Sequence, residues 1–420
     1  MGPTRATILQ IIPTLDAGGA ELSTIEIAAA VVRAGGRAIV LSEGGRMASN
    51  VRAVGAEFIA FPAASKNPLQ LVKNAAAIAA IARKEGVHLV HARSRAPAWS
   101  AFIAARRTKL PFVTTYHGIY AEKSRVKNVY NSVMARSDIV IANSHYTADL
   151  IKRRYRTPAQ RIQVIHRGVD LASFDPMAVT AERLKRLRNH WGVADHERLV
   201  LHAARLTRWK GQSDVIATAA RMRDVAGGCV FILAGDPQHR DGYREELCHQ
   251  IAREGLAAKV RLVGHVDDMP AAFAAAHAAI VASTKPEAFG RVAAEAQAMG
   301  CPVISTNIGA SPETILSPPR VAPEGRTGWL VRPGDLTAYK AALLEALSLG
   351  DEARSAMGRR TRAHVAAQFS TFDMQRATLA AYDRLLKTQM EQRFVDSVEA
   401  DPGGGEPDAD GAAASRRVNR

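Results

Sequence analysis

Short β-branched runs alternate with longer alanine-rich amphipathic segments along most of the chain. In the first half ATILQII, RAIVLS, VHLVHAR, PFVTTYH, DIVIANS and IQVIHRG are of strand length, each closed by turn residues and most followed by helical spacing. The alternation lapses between Asp170 and Arg198, where LASFDPMAVTAERLKRLRNHWGVADHE reads as a loop with Pro176 and then a charged helix. A second series follows: RLVLHAA, CVFILAG, KVRLVG, AAIVAST and PVISTN, with helices expected near Gln212 to Arg223, Tyr243 to Gly255 and Arg291 to Gly300. Continuous apolar strands interleaved with helices predict parallel sheets covered on both faces. The fold class expected is therefore α/β, with two Rossmann-like doubly wound domains facing across a cleft. The boundaries read as 1–175, a linker at 176–197, a second domain at 198–368, and a C-terminal helix at 369–390 packing back on the first domain. A disordered tail is expected at 391–420, where DPGGGEPDADGAAASRRVNR is rich in Gly, Pro and charge.

Composition narrows the class. The 420 residues are 47% hydrophobic but only 5% aromatic, as expected where Ala, Val, Ile and Leu fill a helix-covered sheet. The net charge of +16 implies an anionic partner: nucleic acid, an anionic membrane surface or a phosphorylated substrate. From Arg93 to Arg161 there are fourteen Lys or Arg against Glu122, Asp138 and Asp149, so the excess is concentrated in the first domain. Cys229, Cys248 and Cys301 lack CxxC spacing or a companion histidine cluster, which argues against a disulfide framework and a structural zinc site. Three free thiols suit a reducing cytoplasm. The apolar part of MGPTRATILQIIPTL is short and is followed at once by Asp16 and Gly18-Gly19, so it reads as a first strand and not as a signal peptide. No apolar run reaches the roughly 20 residues a bilayer requires, so any membrane contact is expected to be peripheral.

Parallel sheets place their binding loops at the carboxyl ends of strands, and four such ends carry chemistry. Gly18-Gly19 can bring backbone N–H groups against a phosphate at a helix N-terminus, or simply make a tight turn. His117 ends the strand of TTYHG and either faces a cleft or satisfies a structural hydrogen bond. Arg205 and Lys210 flank the turn of AARLTRWKGQSD; a planar fork and a movable point charge at a helix entrance suit a diphosphate, against the alternative of a solvated basic loop. In KPEAFGRVAAEAQAMGCP, Glu287 precedes a helix starting near Gly290, and Glu295 lies eight residues on, inside it. The N–H groups of Gly290, Arg291 and Val292 would then meet an anion, with Glu287 free to accept from hydroxyls and Glu295 reaching another part of the same ligand. Two glutamates in a surface helix are the plain alternative. Asp267-Asp268, the nearest approach to a metal-binding acidic pair, precedes Met269-Pro270 and reads as a helix cap.

Together with HRGVD, LTRWKG, VDDMPAAFAAAHAAIVASTKPEAFG, GCPVIST and GWLVRPGD, the E-x7-E pair Glu287 and Glu295 makes the chain resemble the group 1 retaining glycosyltransferases of GT-B fold, up to about Lys387. HARSRAPAWSAFIAAR, TTYHG and EAFGRVAAEAQAMG also resemble the subgroup that builds lipopolysaccharide core or related surface glycans. The resemblance implies a nucleotide-sugar donor on the second domain and a glycan or glycolipid acceptor on the first. It implies that Arg205 and Lys210 bind the donor diphosphate, that Glu287 meets sugar hydroxyls and Glu295 the ribose, and that Phe289 and the backbone of Gly290, Arg291 and Val292 complete the donor site. Gly18 and Gly19 would close on the phosphates and His117 would line the reaction centre, so that His117, Arg205, Lys210 and Glu287 form the catalytic set. Three positions depart from the family pattern: Arg167 stands for the usual Asn before GVD, Ala204 for the Gly before the first basic residue, and Ala310 for the second Gly of GGxPE.

No isolated carboxylate presents itself as a nucleophile. The resemblance implies that the leaving phosphate itself helps deprotonate the acceptor on the face it departs from, giving retention with neither cofactor nor metal. The expected location is cytoplasmic, peripheral on the cytoplasmic face of the inner membrane. Two rival classes leave residues without a task. A nucleic-acid-binding protein would explain the charge, but zinc spacing, an RNP-like strand and a basic helix with interleaved aromatics are all missing. A nucleotide-dependent oxidoreductase would explain Gly18-Gly19 and leave Arg205, Lys210, Glu287 and Glu295 idle.

Overall fold

The structure, a computed structural model, describes residues 5–16, 18–120, 124–225, 228–236 and 241–401. The chain forms two compact units. The first holds the residues up to Asn143, Ala148–Ile165 and the residues from Phe372 onward; the second holds Ser144–Thr147 and His166–Thr371.

The first unit is a seven-stranded sheet in the order β3-β2-β1-β4-β5-β6-β7, built from β1 (Thr7–Ile11), β2 (Arg37–Ser42), β3 (Glu57–Ala60), β4 (Leu89–Ala92), β5 (Phe112–Tyr116), β6 (Ile139–Ala142) and β7 (Ile162–Val164). Every pairing is parallel. The second unit repeats the winding with six strands in the order β10-β9-β8-β11-β12-β13: β8 (Arg198–Ala203), β9 (Cys229–Ala234), β10 (Val260–Gly264), β11 (Ala278–Val281), β12 (Val303–Thr306) and β13 (Gly328–Val331), again all parallel. Period-two alternation explains why these strands read as unbroken apolar runs. In β8, Val200 packs into one core layer while Leu199 and Leu201 pack into the layer on the opposite face. In β1, Ile8 and Leu9 divide in the same way. Each sheet reverses its winding beside its first strand, and that reversal opens a crevice at the carboxyl ends of β1 and β4, and of β8 and β11.

Two expectations are corrected. The segment 176–197, read as a linker, belongs to the second unit: helix Ala181–His190 lays Leu184 and Leu187 on its core, Trp191 is buried, and Arg183 forks onto Asp268 at 3.1 and 2.8 Å. The charged face of this helix carries the ion pair. The beginning of the segment read as a disordered tail is helical, Met390–Ala400, because Met390, Phe394 and Val398 recur every four residues and form one apolar face. Arg33 fixes it by donating to the carbonyls of Ser397 and Asp401 at 3.2 and 2.6 Å. The rest of the expected tail, 402–420, lies outside the described residues. The preceding helix, Thr371–Leu386, is held in the first unit by Tyr382, whose hydroxyl meets His91 Nδ1 at 2.6 Å in a fully buried contact. Among the described residues no helix is long and apolar enough to cross a membrane.

Candidate functional site

The loops after β8 and β11, which flank the reversal point of the second sheet, bring together the residues singled out by their chemistry. After β8 the chain passes Arg205, which is exposed, and makes a single 3-10 turn at Arg208–Lys210. It enters helix Gln212–Arg221 through Gly211, whose φ is 79°. A Cβ on Gly211 would lie 1.9 Å from the carbonyl oxygen of Ala282, so only glycine lets this turn approach β11 so closely. Gln212, fully buried, donates to the carbonyl of Arg205 at 2.9 Å and fixes the turn from within.

That approach sets the central contact. Lys210 Nζ lies 2.7 Å from Glu287 Oε1, and both side chains are only 13% exposed. Ser283 donates its hydroxyl to the same oxygen. Burial pushes the Glu287 carboxyl up, but the Lys210 charge and the hydrogen bonds from Lys210 and Ser283 outweigh it and hold the group below its ordinary value. Glu287 is thus an ionised carboxylate clamped by the protein through one oxygen. Both protein contacts fall on Oε1. Glycine is needed a second time at Gly309, φ 63°, where a Cβ would sit 2.5 Å from the Glu287 carbonyl; next to it Ala310 N–H donates to that carbonyl at 3.0 Å.

Helix Arg291–Ala298 begins as expected, with Gly290 as its N-cap at φ 93°. The Ala293 N–H closes the first turn onto the Gly290 carbonyl at 3.1 Å, and the positive end of the helix dipole makes this end receptive to an anion. Glu295, one turn in, accepts from Arg291 Nε at 2.5 Å, with side-chain exposures of 12% and 16%. Val292 is half-buried against the core. Phe289, implied as a donor contact, is 3% exposed and packs with Phe369, Val169, Ala294, Ala298 and Val365. Its ring serves the core, which leaves its backbone as the part able to meet a ligand. Asp268 caps helix Met269–Ala275 by accepting from Ala271 N–H at 3.1 Å, as expected.

The other expected residues lie in the first unit. Gly18 is the N-cap of helix Gly19–Arg33 with φ 151°, and His117 follows β5, half-buried. Two residues of the second unit escaped sequence reasoning. Ser283 is a single serine in a strand end, and only its place four residues before Glu287 could have marked it. His202 points into the core from β8, 2% exposed; its Nδ1–H donates to the Ile280 carbonyl at 2.9 Å. Burial drives its pKa down to about 4, against the pull of that carbonyl, with the charges of Lys210 and Glu287 acting in opposite directions. A lone strand histidine carries no such signal.

The Lys210–Glu287 pair beside a helix N-terminus fits an anionic, hydroxyl-bearing ligand, and comparison with known proteins identifies the family. Residues 17–173 match the model for Glycosyltransferase Family 4, and residues 185–364 match that for Glycosyl transferases group 1. A glycosyltransferase structure from Rickettsia africae is 32% identical and superposes with a TM-score of 0.83, covering 92% of this chain and 100% of its own. The chain belongs to the group 1 glycosyltransferases. Its fold class is GT-B, and it is a glycosyltransferase enzyme. Among structures of this group, Anabaena Alr3699/HepE in complex with UDP-glucose is 26% identical, with a TM-score of 0.78 over 90% of this chain and 100% of that one. Among curated relatives, N-acetyl-alpha-D-glucosaminyl L-malate synthase of Bacillus anthracis is 24% identical over 306 residues, 70% of this chain and 74% of its own. In this group 1 glycosyltransferase the second unit carries the Lys210–Glu287 pair, the helix N-terminus at Gly290 and Arg205 on contiguous loops.

Proposed function

We propose that this glycosyltransferase moves a hexose or related sugar from a UDP-sugar, with retention of anomeric configuration, to a glycan or glycolipid acceptor of the cell envelope, such as the lipopolysaccharide core. The observation that carries the reading is the Lys210–Glu287–Ser283 clamp, which leaves Glu287 Oε2 for sugar hydroxyls beside the N-terminus of helix Arg291–Ala298. The UDP moiety is inferred from the Anabaena relative. The surface-glycan acceptor is inferred from HARSRAPAWSAFIAAR and TTYHG in the first unit.

In the reaction the bond between the anomeric carbon and the β-phosphate oxygen breaks, and the acceptor oxygen bonds to that carbon on the same face. The acceptor proton passes to the departing phosphate oxygen, so no protein nucleophile is used. Arg205, the second and third N–H donors of Lys210, and the N–H groups at Gly290 to Val292 take up the developing diphosphate charge, and catalysis needs no metal. Glu287 accepts from the transferred sugar and Glu295 from the ribose. In the first unit, Gly18, Gly19 and His117 serve phosphate and acceptor.

The enzyme works in the cytoplasm, peripheral on an anionic membrane surface. The basic stretch from Arg93 to Arg161 supports this, as does helix Arg125–Ser132, where Val126 and Val129 are 80% and 60% exposed beside Arg125 and Lys127. Incubation with single nucleotide sugars should give thermal stabilisation selective for UDP-sugars, and NMR of the product should show the donor's anomeric configuration. Stabilisation by a nicotinamide cofactor or by DNA alone would overturn the reading. Equal sedimentation with anionic and neutral liposomes at low salt would remove its membrane part.

A further inference from the structure

We propose that His145, His166 and Glu313 bind a divalent transition-metal ion, with Zn2+ the best fit, as a structural staple within the second unit. The inference stands apart from the proposed reaction, in which this ion takes no part. Among the described residues these three are the group whose ligand atoms converge, each lying within 4.8 Å of the others. They are 21 and 147 residues apart in sequence, which is why the scattered histidines raised no expectation of a metal site.

The geometry is close to that of a coordination sphere. His166 Nε2 and Glu313 Oε2 are 3.5 Å apart. Two ligands of a tetrahedral zinc ion, each at about 2.0–2.2 Å, are separated by roughly 3.4 Å. That pair is therefore spaced as a metal would hold it, and His145 must close by roughly 1 Å to complete the triad. Two imidazoles and a carboxylate are borderline ligands that suit Zn2+ over Mg2+ or Ca2+, and a three-ligand set leaves a position for water.

Two of the ligands are oriented in advance. Glu313 Oε2 accepts from the His145 N–H at 2.7 Å and Oε1 from the Tyr146 N–H at 2.6 Å. Each carboxylate oxygen keeps a second lone pair, so this hydrogen bonding leaves coordination open while fixing the direction of the group. The His166 ring stands edge-on to Phe369 at 5.2 Å and lies 6.2 Å from Phe289. An apolar wall of this kind limits rotation and lowers the local dielectric. His166 and Glu313 are 22% and 19% exposed, whereas His145 is exposed and provides an entry path.

A bound ion would tie Glu313 to His166, whose neighbour Phe289 sits on the loop that also presents Glu287. It would thereby stiffen the support of the donor loop without touching the donor.

The test uses the full chain freed of metal by chelator. Titration with ZnCl2 by calorimetry should show one tight equivalent that raises the melting temperature, and Co2+ should give the visible bands of a low-symmetry nitrogen and oxygen site. H145A, a surface change with little risk to folding, and H145A/H166A should each lose that equivalent or weaken it at least about tenfold. Sugar transfer by the metal-free wild type should continue, which separates this inference from the proposed reaction. Unaltered stoichiometry and affinity in H145A/H166A, or no tight equivalent in the wild type, would overturn the site. So would variants that lower the melting temperature while still binding the ion, since these would mark a capping and packing role alone.

Discussion

Replacing Lys210 by Met keeps the aliphatic stem and removes the charge that holds Glu287 ionised. The magnitude follows from the escape route open to the orphaned carboxylate, which is protonation. From an ordinary value of 4.5, protonating Glu287 at pH 7 costs about 3.4 kcal/mol, at 1.36 kcal/mol per pH unit. This caps the destabilisation near the low end of what breaking a buried pair costs, about 3–5 kcal/mol. At pH 5 the cap is about 0.7 kcal/mol. The sign is fixed by the direction of the shift. In the wild type the carboxyl is depressed, so its contribution is present above its unfolded pKa. In K210M it is raised, so stability is kept at low pH and lost as pH rises through the raised value. Urea unfolding followed by tryptophan fluorescence suits the assay, because Trp191, Trp209 and Trp329 lie in the second unit and only Trp99 in the first. The K210M deficit should grow from under 1 kcal/mol at pH 5 to about 3 kcal/mol at pH 7. K210M/E287Q should recover most of it. A deficit that is independent of pH, or a double variant that is simply additive, would refute the claim that Lys210 and Glu287 form one buried electrostatic unit.

Other expectations concern the frame of the site. His202, neutral and buried with a pKa of about 4, has its contribution to stability intact above pH 6.5 and loses it as pH falls toward 4, about 3 kcal/mol in all; H202N should flatten this acid limb of the urea stability profile, and an unchanged slope would contradict it. Gly211→Ala forces a Cβ into the Ala282 carbonyl at positive φ, so it should cost at least about 2 kcal/mol and abolish binding of the nucleoside diphosphate; wild-type calorimetry would show that the approach of the two loops is not needed. Phe394→Ala should destabilise the first unit by about 3 kcal/mol, as for a buried aromatic, whereas a variant within 0.5 kcal/mol of wild type would return the last helix to the status of a tail.

The sheets were legible because a strand buried on both faces must be apolar at every position, and the helices because their apolar residues recur at helical spacing. The loops after β8 and β11 were legible as candidate sites because glycines and charges stand together at those strand ends. Illegible were the contacts made by partners far apart in sequence. Nothing local shows that Glu287 is clamped by Lys210, 77 residues away, that Phe289 turns into the core, or that His145 and His166 converge on Glu313. The helix Met390–Ala400 was hidden by the Gly- and Pro-rich composition that follows it, which outweighed an apolar spacing of only three residues.

The central claim, that Glu287 serves the transferred sugar and Glu295 the nucleotide, is tested most directly by comparing E287Q and E295Q in calorimetric titration with UDP and in initial rates at saturating donor. Interactions that tighten as the anomeric carbon becomes cationic act on turnover, whereas a ribose contact is the same in ground and transition states. E287Q should therefore lower turnover far more than it weakens UDP binding. E295Q should weaken UDP binding by about 1.5–3 kcal/mol with the smaller effect on turnover. Equal behaviour of the two variants, or wild-type behaviour of both, would contradict the account.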